Sequence, residues 1–538
     1  MTAREIEDES ELPAVGITQH ANAAWLRGTV KLVAAIGMLC LVLLAPLLLV
    51  DVPPLLDYPN HLARAVFLAF GANDPFMSQY YAAHWGIIPD LGTDLVWPAL
   101  MHVLPIYVAG KVVVGCIVVL PVLGTIAYSR AVFGVRSAWP LGSVLAAYNG
   151  TLLLGFLNFV AGAGLALLMA AAWIAWRDRY PWRTVVVTSV GTVALFFCHL
   201  MGLAFWVILI SGHEAAWLWS HRRSRAAMAR RIAAGIAVMA GPVLLYAVSP
   251  LSTVATVTAW PSLDDKFREL VMPFANYVLP LDIGTLVAVV GFLLGCTFMG
   301  RCRVTIASGV PLVVLALLFL VSPNAVKGTY LFDTRFSVMF GYLLFGAVLP
   351  APLPRSATIA AVTGFAALFA ARMAIVDVAW AEHRQDVADL RATIAAVPPG
   401  ARVFVATVSQ EEAPGYWQHG ALSRRMSLGL PLDGHLAALL LIERRAYWPF
   451  MFDDPSQQPI ETLAPYRGLA DRADASVGAR DLEVLDKVDL CGFTDLLLLH
   501  AGAVADGARL DPGRLALVKQ TDIAALYRVR KEACWGGG

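Results

Sequence analysis

TVKLVAAIGMLCLVLLAPLLLV (residues 29–50) is followed directly by DVPPLLDYPNHLAR (residues 51–64), and the contrast between these two stretches decides the fold. The first is apolar over about 20 residues, which is the length of a helix that crosses a bilayer. The second carries two carboxylates, a histidine and an arginine among prolines that forbid a simple continuation of that helix. Ionisable groups therefore concentrate where a membrane helix emerges into water, which predicts a functional site at the membrane surface.

The composition indicates an integral membrane protein. Of 538 residues, 58% are hydrophobic and 15% are charged, and the mean hydropathy is +0.67. A soluble fold would leave too much apolar surface in water. The formal net charge of +1 gives no indication of a nucleic-acid partner, and the seven cysteines form no CxxC pair of the kind found in zinc and redox motifs.

Basic clusters between the apolar runs predict the direction of each span. Under the positive-inside rule they place the basic loops in the cytoplasm, together with the acidic tail 1–28. The apolar stretches 138–176 and 184–220 are each too long for one helix, so each must go out and return, and the total is about eleven spans. Single spans are also expected at 232–248, 282–300, 304–321, 336–353 and 356–378.

This topology predicts a polytopic α-helical membrane protein with a small C-terminal α/β domain. We expect a transmembrane module over 29–378, an external loop over 51–104 within it, and a periplasmic domain over 379–538. The expected location is the inner (plasma) membrane of a bacterium, with the N-terminus in the cytoplasm. Because 249–281 and 322–335 face the same exterior, the non-basic ionisable groups gather on one face of the membrane.

The external loop contains two carboxylate clusters that flank an aromatic stretch. NHLARAVFLAF repeats its apolar residues at helical spacing, which predicts an interfacial helix with its apolar side in lipid. The aromatic stretch contains Tyr81 and Trp85, side chains that favour the headgroup level. Beyond it, PDLGTD puts Asp94 at the start of another helical segment.

The other external loops carry weaker signals. His199, in FFCHLMG, is either a packing histidine or part of the site. Lys266 belongs to an expected amphipathic helix and would reach towards the headgroups. In SPNAVKGTYLFDTRF, Asp333 and Arg335 either form a structural pair or contribute to a phosphate site together with Lys327.

The C-terminal region alternates helical and strand-like segments. It begins with EHRQDVADLRATIAAV and RVFVATV and continues with HLAALLLIERRAYW, DLEVLDKV, TDLLLLH, DPGRLALVK and IAALYRVRK. No Gly-rich phosphate loop is present in it, which argues against a nucleotide site. In an oxidising periplasm we expect Cys491 and Cys534 to pair rather than to remain free thiols.

Carboxylates, cations and aromatic side chains at an external membrane surface suit sugar transfer from a lipid-linked donor. A carboxylate can take the proton from an acceptor hydroxyl as it attacks the anomeric carbon, and Arg or Lys can stabilise the leaving lipid phosphate. This chemistry needs no nucleotide site.

With Asp57 in DYPNH, Asp94 in PDLGTD, a long first external loop and a periplasmic C-terminal domain, the chain resembles the GT-C superfamily of polyprenyl-phosphate-sugar-dependent glycosyltransferases. The resemblance implies that Asp57 is the catalytic base, with Asp51 as the nearest competitor, and that Asp94 is the second acidic position. The two adjacent carboxylates common in that family are missing from the first loop. The choice of base and the use of a divalent cation, Mg²⁺ or Mn²⁺, therefore stay open.

The resemblance also implies the residues that surround the base. Arg335, assisted by Lys327 or His199, would hold the donor phosphate. The groups expected to position the base or to contact the sugar and prenyl chain are His61, Arg64, Tyr58, Tyr81 and Trp85. The expected partners are a polyprenyl-phosphate sugar, a glycan, lipid or protein acceptor, and membrane lipids.

Other classes of membrane protein also fit part of the pattern. A transporter or flippase of glycan or lipid precursors would carry charges at mid-bilayer and often repeated halves, and the sequence indicates neither. A polysaccharide polymerase or ligase would share the topology but use a lipid-diphosphate donor. A non-catalytic assembly subunit would use the C-terminal domain for docking.

Overall fold

The computed structural model describes residues 14–408, 414–477, 489–504 and 510–530. The helices are α1 (Ala14–Leu44), α2 (Tyr58–Phe70), α3 (Met77–Tyr80), α4 (Gly92–Met101), α5 (Ile106–Phe133), α6 (Gly150–Leu153), α7 (Leu157–Trp176), α8 (Pro181–Cys198), α9 (Leu200–Ser220), α10 (Arg225–Val248), α11 (Leu263–Glu269), α12 (Leu279–Phe298), α13 (Ile306–Val321), α14 (Thr334–Gly346), α15 (Arg355–Ile394), α16 (Pro414–His419), α17 (Leu439–Arg444) and α18 (Tyr466–Val477). The strands are β1 (Tyr81–Ala83), β2 (Thr258–Ala259), β3 (Cys302–Arg303), β4 (Ala325–Val326), β5 (Leu349–Pro350), β6 (Val403–Thr407), β7 (Ile460–Thr462), β8 (Asp495–Leu499), β9 (Leu515–Gln520) and β10 (Ala524–Val529).

Eight helices in the described part of the chain are long and apolar enough to cross a membrane. They are Thr29–Leu48, Ile106–Phe133, Leu157–Trp176, Pro181–Cys198, Leu200–Ser220, Arg225–Val248, Leu279–Phe298 and Arg355–Ile394. The fold is therefore that of a polytopic α-helical membrane protein, as predicted. The expected return within 184–220 is also confirmed, because α8 and α9 meet at His199.

Three of the expected spans are shorter than predicted. Helix α13 has 16 residues and α14 has 13, and the outward half of 138–176 is a 3₁₀ helix, Trp139–Ala146. Protein surrounds this segment, because Tyr342 of α14 donates its hydroxyl to the carbonyl of Ala146 at 3.1 Å and accepts from the amide of Asn149 at 3.1 Å. Backbone outside α-helices is tolerated at membrane depth when protein covers it in this way.

The long helices put the basic clusters at one end and the first loop at the other. Helix α5 starts after the loop 51–104 and has Arg130 in its last turn. The arginines of the segments 177–183 and 221–231 likewise lie at or near helix ends on the side opposite that loop. We call the side that carries 51–104 the loop side. The relative placement of charge agrees with the prediction, whereas the assignment of the loop side to the periplasm stays a prediction.

Helix α2 forms at the predicted place, but it does not lie on lipid. Nine of its 13 residues are buried, since α4 and the C-terminal domain cover it. Lys266 of α11 also differs from the prediction. Its ammonium group binds the carboxylate of Asp333 and the carbonyl oxygens of Phe319 and Ser322, so it does not extend to the headgroups. Both corrections have the same cause, which is that the loops pack on one another.

Helix α15 has 40 residues and runs without a break from the membrane into the C-terminal domain, through the expected boundary at 379. The domain contains a four-stranded sheet in the order β6-β8-β10-β9, in which β6 and β8 are parallel and the other neighbours are antiparallel. The strands overlap RVFVATV, TDLLLLH, DPGRLALVK and IAALYRVRK, of which the first two were predicted as strands and the other two as parts of an α/β pattern. Cys491 is disulfide-bonded. Its expected partner Cys534 and the segment DLEVLDKV (481–488) lie outside the described residues.

Candidate active site

Asp57 directly precedes α2, and the turn after α6 holds its backbone. The N–H groups of Leu56 and Asp57 donate to the carbonyl oxygens of Leu153 and Leu154 at 2.8 and 3.3 Å. Gly155 adopts a φ of 81°, and a Cβ there would lie 2.6 Å from the nitrogen of Asp57, so this close approach requires glycine. In the described structure the Asp57 side chain does not cap its own helix and is 14% exposed. Its carboxylate is therefore available to other groups.

One such group is His435, which comes from the C-terminal domain. Its Nδ1 lies 3.0 Å from Oδ1 of Asp57. The imidazole ring is enclosed by Trp448 and Phe452, whose ring centroids lie 6.1 and 5.0 Å away. His435 was not predicted as a site residue, because HLAALLLIERRAYW was read only as part of an α/β pattern and nothing in it points to Asp57.

Arg64 and Asp94 form a closed pair behind the base. Nε and Nη2 of Arg64 donate to Oδ1 and Oδ2 of Asp94 at 2.8 and 3.0 Å, and the Asp94 side chain is only 2% exposed. Nη2 of Arg64 also lies 3.0 Å from Nδ1 of His61. Because arginine can only donate, Nδ1 of His61 accepts and its proton sits on Nε2. Burial, Arg64 and His435 together hold the pKa of His61 well below its usual range, which keeps this ring neutral.

Asp90 supplies a second carboxylate on the loop side. Its backbone is in the left-handed region, with a φ of 67°, and its carbonyl accepts from the side-chain amide of Asn158 at 2.5 Å. The same amide accepts from the N–H of Thr93 at 2.9 Å, so α7 holds the start of α4 and the turn before it. A non-glycine residue in this conformation is a mark of functional constraint. The motif PDLGTD thus contains two carboxylates in different states, one accessible and one closed.

The charge of Asp90 depends on its neighbours. The pKa of Asp90 is raised to about 7, chiefly by burial; Arg335 opposes this rise, and the carboxylate of Asp94 adds to it. His199 accepts the N–H of Met201 on Nδ1 at 2.9 Å, so its Nε2 carries the proton and lies 3.9 Å from Oδ1 of Asp90. His199 is thereby placed beside the candidate site at the predicted turn. The Asp90 side chain is still 38% exposed, so a ligand can reach it.

Arg335 lies in the first turn of α14 with its guanidinium stacked on aromatic rings. The guanidinium carbon lies 4.5 and 5.8 Å from the ring centroids of Phe156 and Phe159. Nη1 donates to the carbonyl oxygens of Tyr330 and Leu331, both at 2.8 Å. Nε is buried and has no hydrogen-bond partner among the described residues. A buried cation with a free donor is suited to binding an anion.

The surroundings of Arg335 are acidic. It interacts electrostatically with Asp90, Asp57 and Asp333, in that order of strength. The structural Asp333–Arg335 pair considered from the sequence does not form, because Asp333 binds Lys266 and caps α14 through the N–H of Thr334. Arg335 therefore stays available to the two carboxylates of the candidate site.

Several predicted residues lie away from this group. Tyr58 is fully buried against Trp97 at a centroid distance of 5.4 Å, so the substrate contact expected for it does not fit its position. Trp85 is exposed on the loop side. Lys327 donates to the carbonyl oxygens of Leu251 and Ser252, both at 3.2 Å, which fixes it on a neighbouring loop.

Asp51, the competing base, belongs to a different cluster. Its carboxylate lies 3.2 Å from Arg391 of α15 and 3.9 Å from Lys111 of α5. Glu443 accepts from Arg391 at 2.8 Å and completes this surface network. Asp51 thus anchors the end of the first span to the long helix and offers a natural control for Asp57.

The grouping of possible metal ligands can be followed over the part of the chain that the structure describes. Among the described residues, no group of three or more His, Cys, Asp or Glu side chains is placed to hold a metal ion. Asp57 lies beside His435, and Asp94 is bound to Arg64. The divalent cation considered from the sequence stays a prediction. No step below depends on a metal.

Fold and site together define a class: a polytopic membrane protein whose accessible carboxylates and buried arginine lie among loops at one membrane face, partly covered by a C-terminal domain. No protein-family model matches the chain, and no curated protein matches its sequence. Two solved structures that it resembles are those of ArnT from Cupriavidus metallidurans, in the apo state and bound to undecaprenyl phosphate. Each has 13% identity and a TM-score of 0.44, covering 93% of this chain and 98% of the other. Similarity at this level is too low to assign a function, which is inferred below from the site residues.

Proposed function

We propose that this protein is a GT-C-type membrane glycosyltransferase that moves one sugar from a polyprenyl-phosphate donor to the hydroxyl of an exported glycan, lipid or protein acceptor. Asp57 is the general base, and Arg335 binds the donor phosphate. The acceptor reacts on the loop side, which we assign to the periplasm from the distribution of basic residues.

The observation that carries the proposal is the combination of Asp57, Asp90 and Arg335. The carboxylates of Asp57 and Asp90, which are 14% and 38% exposed, act electrostatically on the buried Arg335, whose Nε has no hydrogen-bond partner among the described residues. A base and a phosphate-binding cation are the two groups that transfer from a sugar phosphate requires. The carboxylates and the arginine lie where the spans end on the loop side. A lipid-linked donor presents its phosphate at this depth.

The reaction is written for these residues as a single displacement. The acceptor oxygen forms a bond to the anomeric carbon, and its proton passes to the carboxylate of Asp57. The bond between the anomeric carbon and the phosphate oxygen breaks, and its electron pair leaves with the polyprenyl phosphate. Arg335 stabilises the charge that develops on that phosphate. Attack opposite to the leaving group inverts the configuration of the sugar.

Asp90 and His199 form the second half of the site. Because burial raises the pKa of Asp90 to about 7, part of the population is protonated at neutral pH and can donate to a sugar hydroxyl or to phosphate. His199 presents its Nε2 proton on the same side. In this proposal Asp94, the second catalytic carboxylate implied by the resemblance, positions Arg64 and α4, and Asp90 takes its place near the substrate.

The test is transfer of labelled sugar in membranes that contain the full chain. Asp57→Asn is expected to abolish transfer from a polyprenyl-monophosphate sugar while expression is unchanged. Asp51→Asn is the matched control, because this substitution removes the same charge from the neighbouring surface cluster. Full activity of Asp57→Asn would reject the proposal. Use of a polyprenyl-diphosphate glycan in place of the monophosphate would indicate a polymerase or ligase.

A further inference from the structure

The C-terminal domain is joined to the first loop by backbone pairing. Strands β1 and β7 are antiparallel, with Tyr81 opposite Thr462 and Ala83 opposite Ile460. Next to this ribbon, the N–H of Leu463 donates to the carbonyl of Tyr80 at 2.8 Å. These bonds hold a chain segment of the C-terminal domain in register with the loop that contains Asp57.

A second contact is made by Asn60, one helical turn from Asp57. Asn60 is fully buried, its amide donates to the carbonyl of Phe450 at 2.9 Å, and its side-chain oxygen accepts from the N–H of Phe452 at 3.1 Å. Both the nitrogen and the oxygen of the Asn60 side chain thus bond to one short segment of the C-terminal domain. This arrangement fixes the distance between α2 and the residues on either side of that segment.

His435 is held in place from its own domain as well. Asp433 lies 2.8 Å from His500 next to the sheet, and its carbonyl accepts the N–H of Leu436 at 2.9 Å. The ring of Phe452 contacts both histidines that surround the base, with centroids 5.0 Å from His435 and 5.7 Å from His61. His435 therefore lies in a turn closed by the hydrogen bond between Asp433 and Leu436, and its ring packs against Phe452.

We propose that His435 is a positioning residue for Asp57, so that the C-terminal domain completes the active site. This inference rests on the proposed function, because it assumes that Asp57 is the base. The imidazole holds Oδ1 of Asp57 from the side of the C-terminal domain, at 3.0 Å. The other carboxylate oxygen is then oriented to receive the proton of the acceptor hydroxyl.

Neither His61 nor Arg64 performs this role. Nδ1 of His61 already accepts from Arg64, and Arg64 forms a bidentate pair with Asp94. The contact between His435 and Asp57 has the distance of a hydrogen bond but not its alignment, and such contacts commonly tighten when substrate binds. Misplacement of a base by about 1 Å costs about 10²-fold in rate, so a residue that fixes its orientation has a measurable effect.

The inference is tested by three variants of the full chain assayed for kcat and KM. His435→Phe keeps a ring but removes the contact with the carboxylate, and we expect kcat to fall roughly 10- to 100-fold with the donor KM within a factor of about two. His435→Asn places an amide donor near the position of Nδ1 and is expected to recover most of the rate. His419→Phe makes the same change at an exposed histidine of the same domain and is expected to leave kcat unchanged.

The outcomes separate the two proposals. If Asp57→Asn is inactive and His435→Phe has wild-type kcat, His435 does not position the base and this inference is wrong, whereas the proposed function stands. If Asp57→Asn is fully active, the proposed function fails first. A fall in kcat for His435→Phe that His435→Asn does not restore, accompanied by a lower unfolding temperature, would show that the histidine only supports the fold and would overturn the inference.

Discussion

Asp57 and Asp94 lie in the same loop and have opposite environments. Asp94 is 2% exposed, and both of its oxygens accept from Arg64. Asp57 is 14% exposed, does not cap its helix in the described structure, and has one oxygen near a histidine from another domain. A carboxylate whose oxygens are already bonded supports structure, whereas one that is held but not saturated can accept a proton. The comparison therefore separates a stabilising pair from a candidate base.

The largest expected effect on stability is at the closed pair. Asp94→Leu leaves the buried guanidinium of Arg64 without its partner, and we expect a loss of about 3–5 kcal/mol in the free energy of unfolding. Thermal or denaturant unfolding of the solubilised protein measures it. The double variant Arg64→Met/Asp94→Leu should recover much of this loss, because it removes both buried charges.

Asp264→Ala provides the matched control for that measurement. Asp264 pairs with Arg268 at 2.8 Å, but both side chains are exposed, so its removal should cost less than about 1 kcal/mol. If Asp94→Leu costs no more than Asp264→Ala, the closed pair does not stabilise the loop layer and the distinction between the two carboxylates is lost.

Arg335 tests the proposed donor site, because in the proposed mechanism its charge stabilises the leaving phosphate. Arg335→Met removes the guanidinium, and we expect kcat to fall about 10²- to 10³-fold. Steady-state transfer with a polyprenyl-phosphate sugar measures the change. Arg268→Met is the control, because that arginine is exposed in a surface pair on the same side. Equal kcat values for the two variants would remove Arg335 from the site.

Gly155→Ala tests whether the backbone of Asp57 needs the close approach of the turn. Alanine is strained at a φ of 81°, and its Cβ would meet the Asp57 backbone, so we expect a cost of about 1–3 kcal/mol together with a lower kcat. Gly134 is a suitable control, with a φ of 70° and no atom within 4 Å of its added Cβ. Gly134→Ala should be destabilised by strain while its kcat stays normal. Loss of kcat in both variants would mean that strain alone, without displacement of Asp57, explains the effect.

The smallest effect concerns the pH dependence of stability. The pKa of Asp90 in the folded protein is about 7, above its usual value near 4, so the folded state binds more protons than the unfolded state between these values. This group therefore makes the protein less stable as pH rises from about 4 to about 7. Asp90→Asn should flatten the fall of Tm over that range, by a modest amount because the carboxyl is 38% exposed. An unchanged slope in Asp90→Asn would contradict the raised pKa.

Local pattern was sufficient to predict much of the fold. Apolar length predicts the spans, basic clusters predict their relative direction, and the residue pattern predicts the α/β domain at the C-terminus. It was not sufficient for Trp139–Ala146, where the apolar stretch is compatible with an α-helix. The end of this 3₁₀ helix is bonded to Tyr342, which also accepts from Asn149, and only the fold brings these residues together.

The site was predictable only in part. Asp57, His199 and Arg335 were predicted as site residues because ionisable groups at span ends are unusual, and their roles stay predictions. Burial decides which of Asp90 and Asp94 a substrate can reach, and the sequence PDLGTD does not contain that information. His435 could not be identified from a pattern, because its relation to Asp57 is created by the pairing of β1 with β7 and by Asn60. Contacts between distant segments of the chain carry this part of the site.

The most direct test measures kcat and unfolding temperature on the same preparations of Asp57→Asn and Asp94→Leu. If Asp57 is the base and Asp94 is structural, Asp57→Asn loses about 10²- to 10⁴-fold in kcat at an unchanged Tm, and Asp94→Leu shows its main effect as a lower Tm. A fully active Asp57→Asn, or a stable Asp94→Leu without activity, would contradict this assignment of the two carboxylates.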